Sequence, residues 1–181
     1  MNTIQTLPEI SAGLQQTFLQ VHQAIKRVKP FYNDKPTEKW SIEEQFDHLI
    51  RSNKPVCGAL ALPESQLAAM GQPDQPGRSF DQLKKTYYEV LATGAKATGR
   101  FIPETLKDKS PEQAVGEWLQ IGDVFQLNLS KWPEDPLDKY VLRHPVLGNL
   151  TIREMLFFTI FHNQHHLNKI NELIDGYRAN N

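Results

Sequence analysis

Apolar side chains recur every three or four residues along several long segments of the chain, which is the spacing of helices that each bury one face. The first such segment covers residues 8–29. Its apolar stripe consists of Ile10, Leu14, Phe18, Val21, Ile25 and Val28. Lys29 and Pro30 predict the end of this helix, because proline cannot donate a backbone hydrogen bond. Residues 30–40 hold two prolines and are predicted to form a connection.

A second helix is predicted to begin at Ile42. Ser41 and Glu44 have the spacing of a capping box, in which each side chain accepts a hydrogen bond from the other residue's backbone N–H. The core face then continues through Phe46, Leu49, Ile50 and Asn53, beside a polar shoulder formed by Gln45, His48 and Ser52. Pro55 falls inside the pattern and predicts a kink or a break.

Two further helices are separated by connections rich in turn residues. Residues 63–79 contain three prolines and two glycines, so a loop is predicted there. A third helix should start at Phe80, after Ser79, and a fourth at Pro111, after Ser110. Residues 133–150 form a second long connection, in which the only alternation, at 139–142, is too short to predict a strand.

The last helix is predicted from Thr151 to Gly176. Thr151 and Glu154 form another capping box, and glycine commonly ends a helix. One face carries Ile152, Met155, Leu156, Thr159, Ile170 and Leu173, and the other side carries Phe157, Phe158 and Phe161. A helix that is apolar on both sides is either central or in contact with another subunit. We therefore expect a homodimer that uses the surface around Phe161.

The last helix also places His162 and His166 one turn apart on its core face, while His165 points away from that face. Each imidazole has two nitrogens that need partners when buried, and histidines at i and i+4 on a helix can share one metal ion. The alternative is a pair that is simply hydrogen-bonded in the core. Asn163 stands where a metalloprotease of the His-Glu-x-x-His type carries its general base, which disfavours that class.

Composition narrows the functional classes. The chain has 181 residues and a net charge of -1, so it has enough residues for one domain with a sizeable core and lacks the basic character of nucleic-acid binding proteins. Neither a secretory signal nor a membrane span is apparent. The lone cysteine, Cys57, excludes an internal disulfide and falls on the apolar side of its helix. A soluble, cytoplasmic protein is expected.

Three segments together resemble the DinB-like superfamily: residues 40–49 (WSIEEQFDHL), 144–151 (HPVLGNLT) and 162–166 (HNQHH). The resemblance covers nearly the whole chain. It implies an all-α four-helix bundle with long connecting loops, one domain over residues 1–181, and frequent dimerisation. It also implies a divalent metal, often zinc or nickel, held by His48, His162 and His166. Members often have Gly-Gln shortly after the last ligand, where this chain has Asn168 and Lys169.

The resemblance implies several activities, since relatives include transferases that conjugate a low-molecular-weight thiol to an electrophile, thiol-dependent isomerases, and proteins classed as metal-dependent hydrolases. A small-molecule substrate is expected in each case. Hydrolysis usually benefits from a nearby carboxylate, but Glu44 and Glu154 are assigned to helix caps and Asp47 is expected to point away from the apolar face. Thiol transfer is therefore favoured over hydrolysis. The third hypothesis is a protein that binds a metal or a small ligand and catalyses no reaction.

Overall fold

Four long helices form the body of the protein in the computed structural model, which describes residues 4–27, 39–104 and 109–179. Within those residues the helices are α1 (Leu7–Lys26), α2 (Ile42–Ala59), α3 (Glu64–Ala69), α4 (Phe80–Ala92), α5 (Pro111–Leu129) and α6 (Ile152–Ala179). Two short strands, β1 (Val141–His144) and β2 (Gly148–Thr151), pair as an antiparallel hairpin. Short 3₁₀ turns cover Gly99–Phe101 and Asp135–Asp138.

The four-helix bundle consists of α1, α2, α5 and α6, because α1 and α2 each pack against both α5 and α6. The predicted all-α fold is confirmed. Three predicted helix starts are also confirmed, since Ser41, Ser79 and Ser110 each form a capping box.

The structure ends α1 at Lys26. Val28, the predicted stop at Lys29 and Pro30, and residues 30–38 of the predicted connection lie outside the described residues.

Close packing between α1 and α5 depends on one glycine. The ring of Phe18 stacks on Trp118 with a centroid distance of 4.2 Å, and Trp118 Nε1–H donates to the Phe18 carbonyl at 3.0 Å. A Cβ on Gly122 would lie 3.0 Å from Cδ1 of Phe18, which is too close for an unshifted contact. The absent side chain therefore lets the two helices approach and brings these aromatic rings together.

Of the kink or break predicted at Pro55, the break is wrong, and so is the predicted helix end at Gly176. α2 runs through Pro55 without a break, because proline removes a single helical hydrogen bond while the buried Val56 and Cys57 keep the last turn packed on the core. α6 continues past Gly176 to Ala179. Gly176 keeps a negative φ, and the partly buried Tyr177 packs on the core and extends the helix.

The two predicted connections hold more structure than their composition indicates. Residues 63–79 contain α3, whose Leu67 is buried. Residues 133–150 contain a 3₁₀ turn and most of the β-hairpin, where no strand was predicted. The first connection is fixed to α6 through Glu154, whose Oε1 accepts from the backbone N–H of Arg78 at 3.1 Å and from its guanidinium at 2.7 Å. Glu154 also forms the predicted cap with Thr151.

The second apolar side of α6 is covered within the chain by α4. Phe157, Phe158 and Phe161 are all buried, and rings of α4 lie against them, with Phe80 5.8 Å and Tyr87 5.4 Å from Phe161 between centroids. The expectation that this surface faces another subunit is therefore wrong. The homodimer stays a prediction, without the surface that motivated it.

None of the helices in the described residues combines the length and the apolar character that crossing a membrane requires.

Candidate metal centre

Three buried histidines from two facing helices converge between α2 and α6. Each offers a ring nitrogen, and the three nitrogens lie within 4.8 Å of one another. Nε2 of His48 and Nε2 of His162 are 3.1 Å apart. Two nitrogens that share a tetrahedral zinc ion at its usual bond length lie about 3.3 Å apart. The cluster of His48, His162 and His166 could therefore hold a metal ion, and it brings together the three residues to which the resemblance assigns that role.

The register of the two helices is fixed by a pair of buried amides next to the cluster. Nδ2 of Asn53 donates to Oδ1 of Asn163 at 2.9 Å, and Nδ2 of Asn163 donates back to Oδ1 of Asn53 at 3.3 Å. Asn163 directly follows His162, so this pair fixes the turn of α6 that carries His162. From the sequence, Asn163 is notable only for standing where a metalloprotease would carry its general base. Its hydrogen bond to Asn53 could not be predicted, because the two residues are 110 positions apart.

Two of the histidines are oriented by hydrogen bonds on their far nitrogens. Nδ1 of His48 lies 2.6 Å from the carbonyl oxygen of Phe101, and Nδ1 of His166 lies 2.6 Å from Oε1 of Gln45. Both oxygens can only accept, so each Nδ1 must carry the proton. The Nε2 lone pairs of both rings are then directed at the centre, as in metal sites whose ligating histidines donate their other N–H.

The segment that carries this carbonyl is tied to α2 by Asp47. One carboxylate oxygen of Asp47 accepts from Arg51 Nε at 2.6 Å and from the backbone N–H of Glu104 at 2.9 Å. These bonds tie the segment that contains Phe101 to α2. The expectation that Asp47 points away from the apolar face holds only in part, since its side chain is buried and committed to positioning this segment. Asp47 is therefore not available as a general base.

Burial keeps the cluster in the form that binds metals. Desolvation, followed by the charges of neighbouring histidines, lowers the pKa of His162 and of His166 well below the ordinary value. The pKa of His48 is lowered by burial as well, opposed by its bond to Phe101 and by Asp47. All three rings are therefore neutral at pH 7. His165 lies outside the cluster, but it does not point away from the site as predicted: it is half-buried, lines the same cleft, and has its ring 5.0 Å from that of His166.

A cleft of about 810 Å³ opens onto the histidines. Its wall includes Trp40, Tyr87 and Phe158, and the ring of Phe158 stacks on His162 at 4.8 Å. In the part of the chain that the structure describes, no Asp or Glu side chain lines this cleft. A concave, largely apolar space of this size beside a few polar groups is typical of a small-molecule site. The cleft residues outside the histidine motif were not predicted, because they come from five separate segments.

Replacing Gln45 by leucine should weaken metal binding about 10- to 100-fold, the usual loss when the partner of a ligating histidine is removed. Leucine offers no acceptor to Nδ1 of His166, so the ring loses its fixed orientation. Gln45→Glu is the matched control, because it retains an acceptor oxygen at the same reach. Competition with a chromophoric chelator measures the affinities, and equal values for wild type and Gln45→Leu would contradict the orienting role.

No curated protein and no solved structure matches this chain. The family model of the DinB superfamily matches residues 4–170, which is nearly the whole chain and includes all three histidines of the cluster. Together with the helical bundle, this match shows that the chain belongs to the DinB superfamily.

Proposed function

We propose that this protein is a metal-dependent transferase that joins a low-molecular-weight thiol to an electrophilic small molecule. The observation that carries the proposal is the combination of three neutral imidazoles at the base of the cleft with a lining, among the described residues, that has no carboxylate. This combination suits a reaction that needs a stabilised anion and no protein base.

In this proposal His48, His162 and His166 hold a divalent transition metal, zinc or nickel. Imidazole nitrogen is a suitable ligand for both ions. Three histidines leave coordination positions open, which is the arrangement of catalytic rather than structural zinc sites. A divalent ion held there would lower the pKa of a thiol bound to it, because the positive charge favours the thiolate.

The residues of the chain position the reactants and keep bulk water away. In the overall reaction the thiol loses its proton to solvent, a sulfur–carbon bond forms, and the leaving group departs from the electrophile with the electron pair of the broken bond. Trp40, Tyr87 and Phe158 offer apolar surface for the body of the electrophile. Ser52 Oγ lies 3.4 Å from Nε2 of His48, where it can contact a bound substrate.

Hydrolysis is disfavoured by the positions of the carboxylates. Glu44 is bound to the backbone N–H of Ser41 at 2.8 Å, Glu154 is bound to Thr151 and Arg78, and Asp47 is bound to Arg51 and Glu104. Each therefore has a structural task. Activation of water would have to proceed without the proton acceptor that such enzymes usually place beside the metal.

The test compares activities of the zinc- or nickel-loaded protein. Conjugation of cysteine, N-acetylcysteine, glutathione and coenzyme A to 1-chloro-2,4-dinitrobenzene is measured beside a panel of nitrophenyl esters and nitroanilides. The proposal expects chelator-sensitive conjugation with at least one thiol and no comparable hydrolysis. Hydrolysis without conjugation would identify the protein as a hydrolase. Inactivity in both panels with full metal loading would identify it as a metal-binding or ligand-binding protein without catalytic activity.

Cys57→Ser should retain conjugation activity, because the proposed nucleophile is an external thiol. Cys57 is buried on the core side of α2, its Sγ lies 3.9 Å from the carbonyl oxygen of Ile121, and burial raises the pKa of its thiol. Little thiolate is therefore present at pH 7. Conjugation rates and thermal unfolding of both proteins check this, with only a small loss of stability expected from the buried hydroxyl. A folded, metal-loaded but inactive Cys57→Ser would exclude the external-thiol mechanism.

The proposal includes a small-molecule substrate, a cytoplasmic location and a homodimer. The three histidines and the cleft all come from one chain, so the reaction as proposed does not depend on a second subunit.

A further inference from the structure

The β-hairpin beside the cleft fixes the tautomer of a fourth histidine. The backbone N–H groups of Val146 and Leu147 lie 3.3 Å and 3.1 Å from Nδ1 of His144 and donate to it. A backbone N–H can only donate, so Nδ1 must present its lone pair. The proton of the neutral ring is therefore on Nε2, which makes His144 a hydrogen-bond donor at the end of the ring that faces away from its own turn.

This donor has no partner among the residues that the structure describes. Burial lowers the pKa of His144 to about 4, so the ring is neutral at pH 7. Among residues 4–27, 39–104 and 109–179, no acceptor lies within hydrogen-bond distance of its Nε2. His144 is half-buried beside the cleft, and an N–H at such a position bonds to water or to a ligand when the protein offers no acceptor. An acceptor atom of a bound molecule would satisfy this one.

His144 lines the same cleft as the three clustered histidines. One ring separates it from them: His144 lies 4.3 Å from Phe158 between centroids, and Phe158 stacks on His162 at 4.8 Å. A small molecule that reaches the cluster can therefore also contact His144. The ring is not part of the cluster, and the proposed reaction gives it no task.

Among the described residues, every charged side chain that lines the cleft is basic. We call these five residues the cationic rim: Lys39, Lys96, Arg100, Arg143 and Lys169. Lys169 also pairs with Glu172 at 3.1 Å, whereas Lys96 and Arg143 form no ion pair with a described residue. The chain as a whole has 20 basic and 21 acidic residues, so a described lining that has basic and no acidic side chains is a local feature. Such a lining attracts anions.

We propose that this cleft binds an amphipathic anion, with its apolar body against the aromatic wall and its carboxylate, sulfonate or phosphate group held by Nε2–H of His144 and the cationic rim. One part of this inference rests on the proposed thiol transfer, namely that the anion is a substrate of that reaction. Binding itself requires no turnover. Arg143, next to His144 on β1, is the rim residue closest to it in the chain.

The test uses two fluorescent probes that share one apolar body, 8-anilinonaphthalene-1-sulfonate and its uncharged counterpart N-phenyl-1-naphthylamine. Both are titrated into the full-length, metal-loaded protein. The proposal expects the sulfonate to bind at least about tenfold more tightly than the neutral probe, since a hydrogen bond to a charged group contributes that much. Equal affinities would overturn it. Neither thiol nor electrophile is present, so failure of the proposed transfer activity leaves this result interpretable.

Two substitutions of His144 separate a binding role from a structural one. His144→Asn places an amide oxygen where Nδ1 accepts from the turn but removes the donor to the cleft. His144→Gln places an amide N–H near the position of Nε2–H and gives up the turn bonds. We expect about a tenfold loss of sulfonate binding in His144→Asn and near-wild-type binding in His144→Gln, with the neutral probe unaffected by either. The reverse ranking, or equal losses for both probes, would overturn the role of His144.

Charge is tested on the cationic rim with a matched control. Arg143→Gln should weaken sulfonate binding about fivefold, since an exposed charge is partly screened by water, and should leave the neutral probe unchanged. Lys84→Gln removes an equally exposed cation from α4 that does not line the cleft, and it should change neither affinity. An Arg143→Gln protein that binds the sulfonate as wild type does would remove this residue from the site.

Discussion

Alanine in place of His48, His162 or His166 should remove most of the bound metal, whereas His165→Ala should leave it in place. The three rings of the cluster have nitrogens within 4.8 Å of one another, and two of them are turned inward by bonds to Phe101 and Gln45. Loss of a ligand should exceed the roughly 10- to 100-fold loss caused by removing an outer partner. Metal analysis of protein purified with zinc or nickel measures the occupancy.

His165 is a matched control for this experiment. It lies on the same helix, is half-buried, and has its ring 5.0 Å from that of His166, so His165→Ala removes the same group from almost the same place. Far-ultraviolet circular dichroism confirms that each variant is folded. Full occupancy in His48→Ala would remove that residue from the site. Full occupancy in all three cluster variants would identify the histidines as hydrogen-bonded core residues.

Part of this site could be predicted from sequence because part of it is local. His162 and His166 lie one turn apart on one helix, and helical periodicity alone places them on a shared face. His48 is 114 residues from His162, and only the packing of α2 on α6 brings them together. Its assignment therefore depended on the resemblance to the DinB-like superfamily, and no periodicity within α2 could have supplied it.

The groups that orient the clustered histidines could not be predicted from the sequence for a different reason. The partner of His48 is a backbone carbonyl, which any residue at position 101 would offer, so it leaves no mark in the sequence. Gln45 was placed on the polar shoulder of α2, but its partner on α6 could not be known before the helices were packed. Asp47 was expected to face away from the core, since helical periodicity does not reveal that residues 99–104 fold back over it.

Secondary structure could be predicted from the sequence at the helix starts, where hydrogen bonds within one turn determine it. The capping serines fixed three helix starts, because the bonds they make involve only neighbouring residues. Strands β1 and β2 have four residues each, too few for an alternation to be recognised. Local preference predicts a kink or break at Pro55 and a stop at Gly176, but both helices continue because the residues that follow pack on the core.

Phe161→Glu should unfold the domain and should not yield a folded monomer. Phe161 is buried at 2% exposure, and the rings of Phe80, Tyr87 and Phe158 lie within 5.8 Å of its centroid. The change removes a large core side chain and leaves an unpaired charge in its place, at a combined cost of about 5 kcal/mol or more. A domain of this size is typically stable by about 5–15 kcal/mol, so this cost is at least about a third of that margin and equals or exceeds it at the lower end of the range.

Urea unfolding followed by circular dichroism measures this effect, and Asn168→Glu is its control, because it adds the same charge to an exposed position of α6. The control should keep the wild-type midpoint within error. Static light scattering distinguishes the two readings of this surface. A Phe161→Glu protein that folds with the wild-type midpoint but has half the wild-type mass would place Phe161 between subunits. The packing of α4 on α6 predicts that Phe161→Glu unfolds the domain. Because His162 follows Phe161 directly, metal binding should be lost together with the fold.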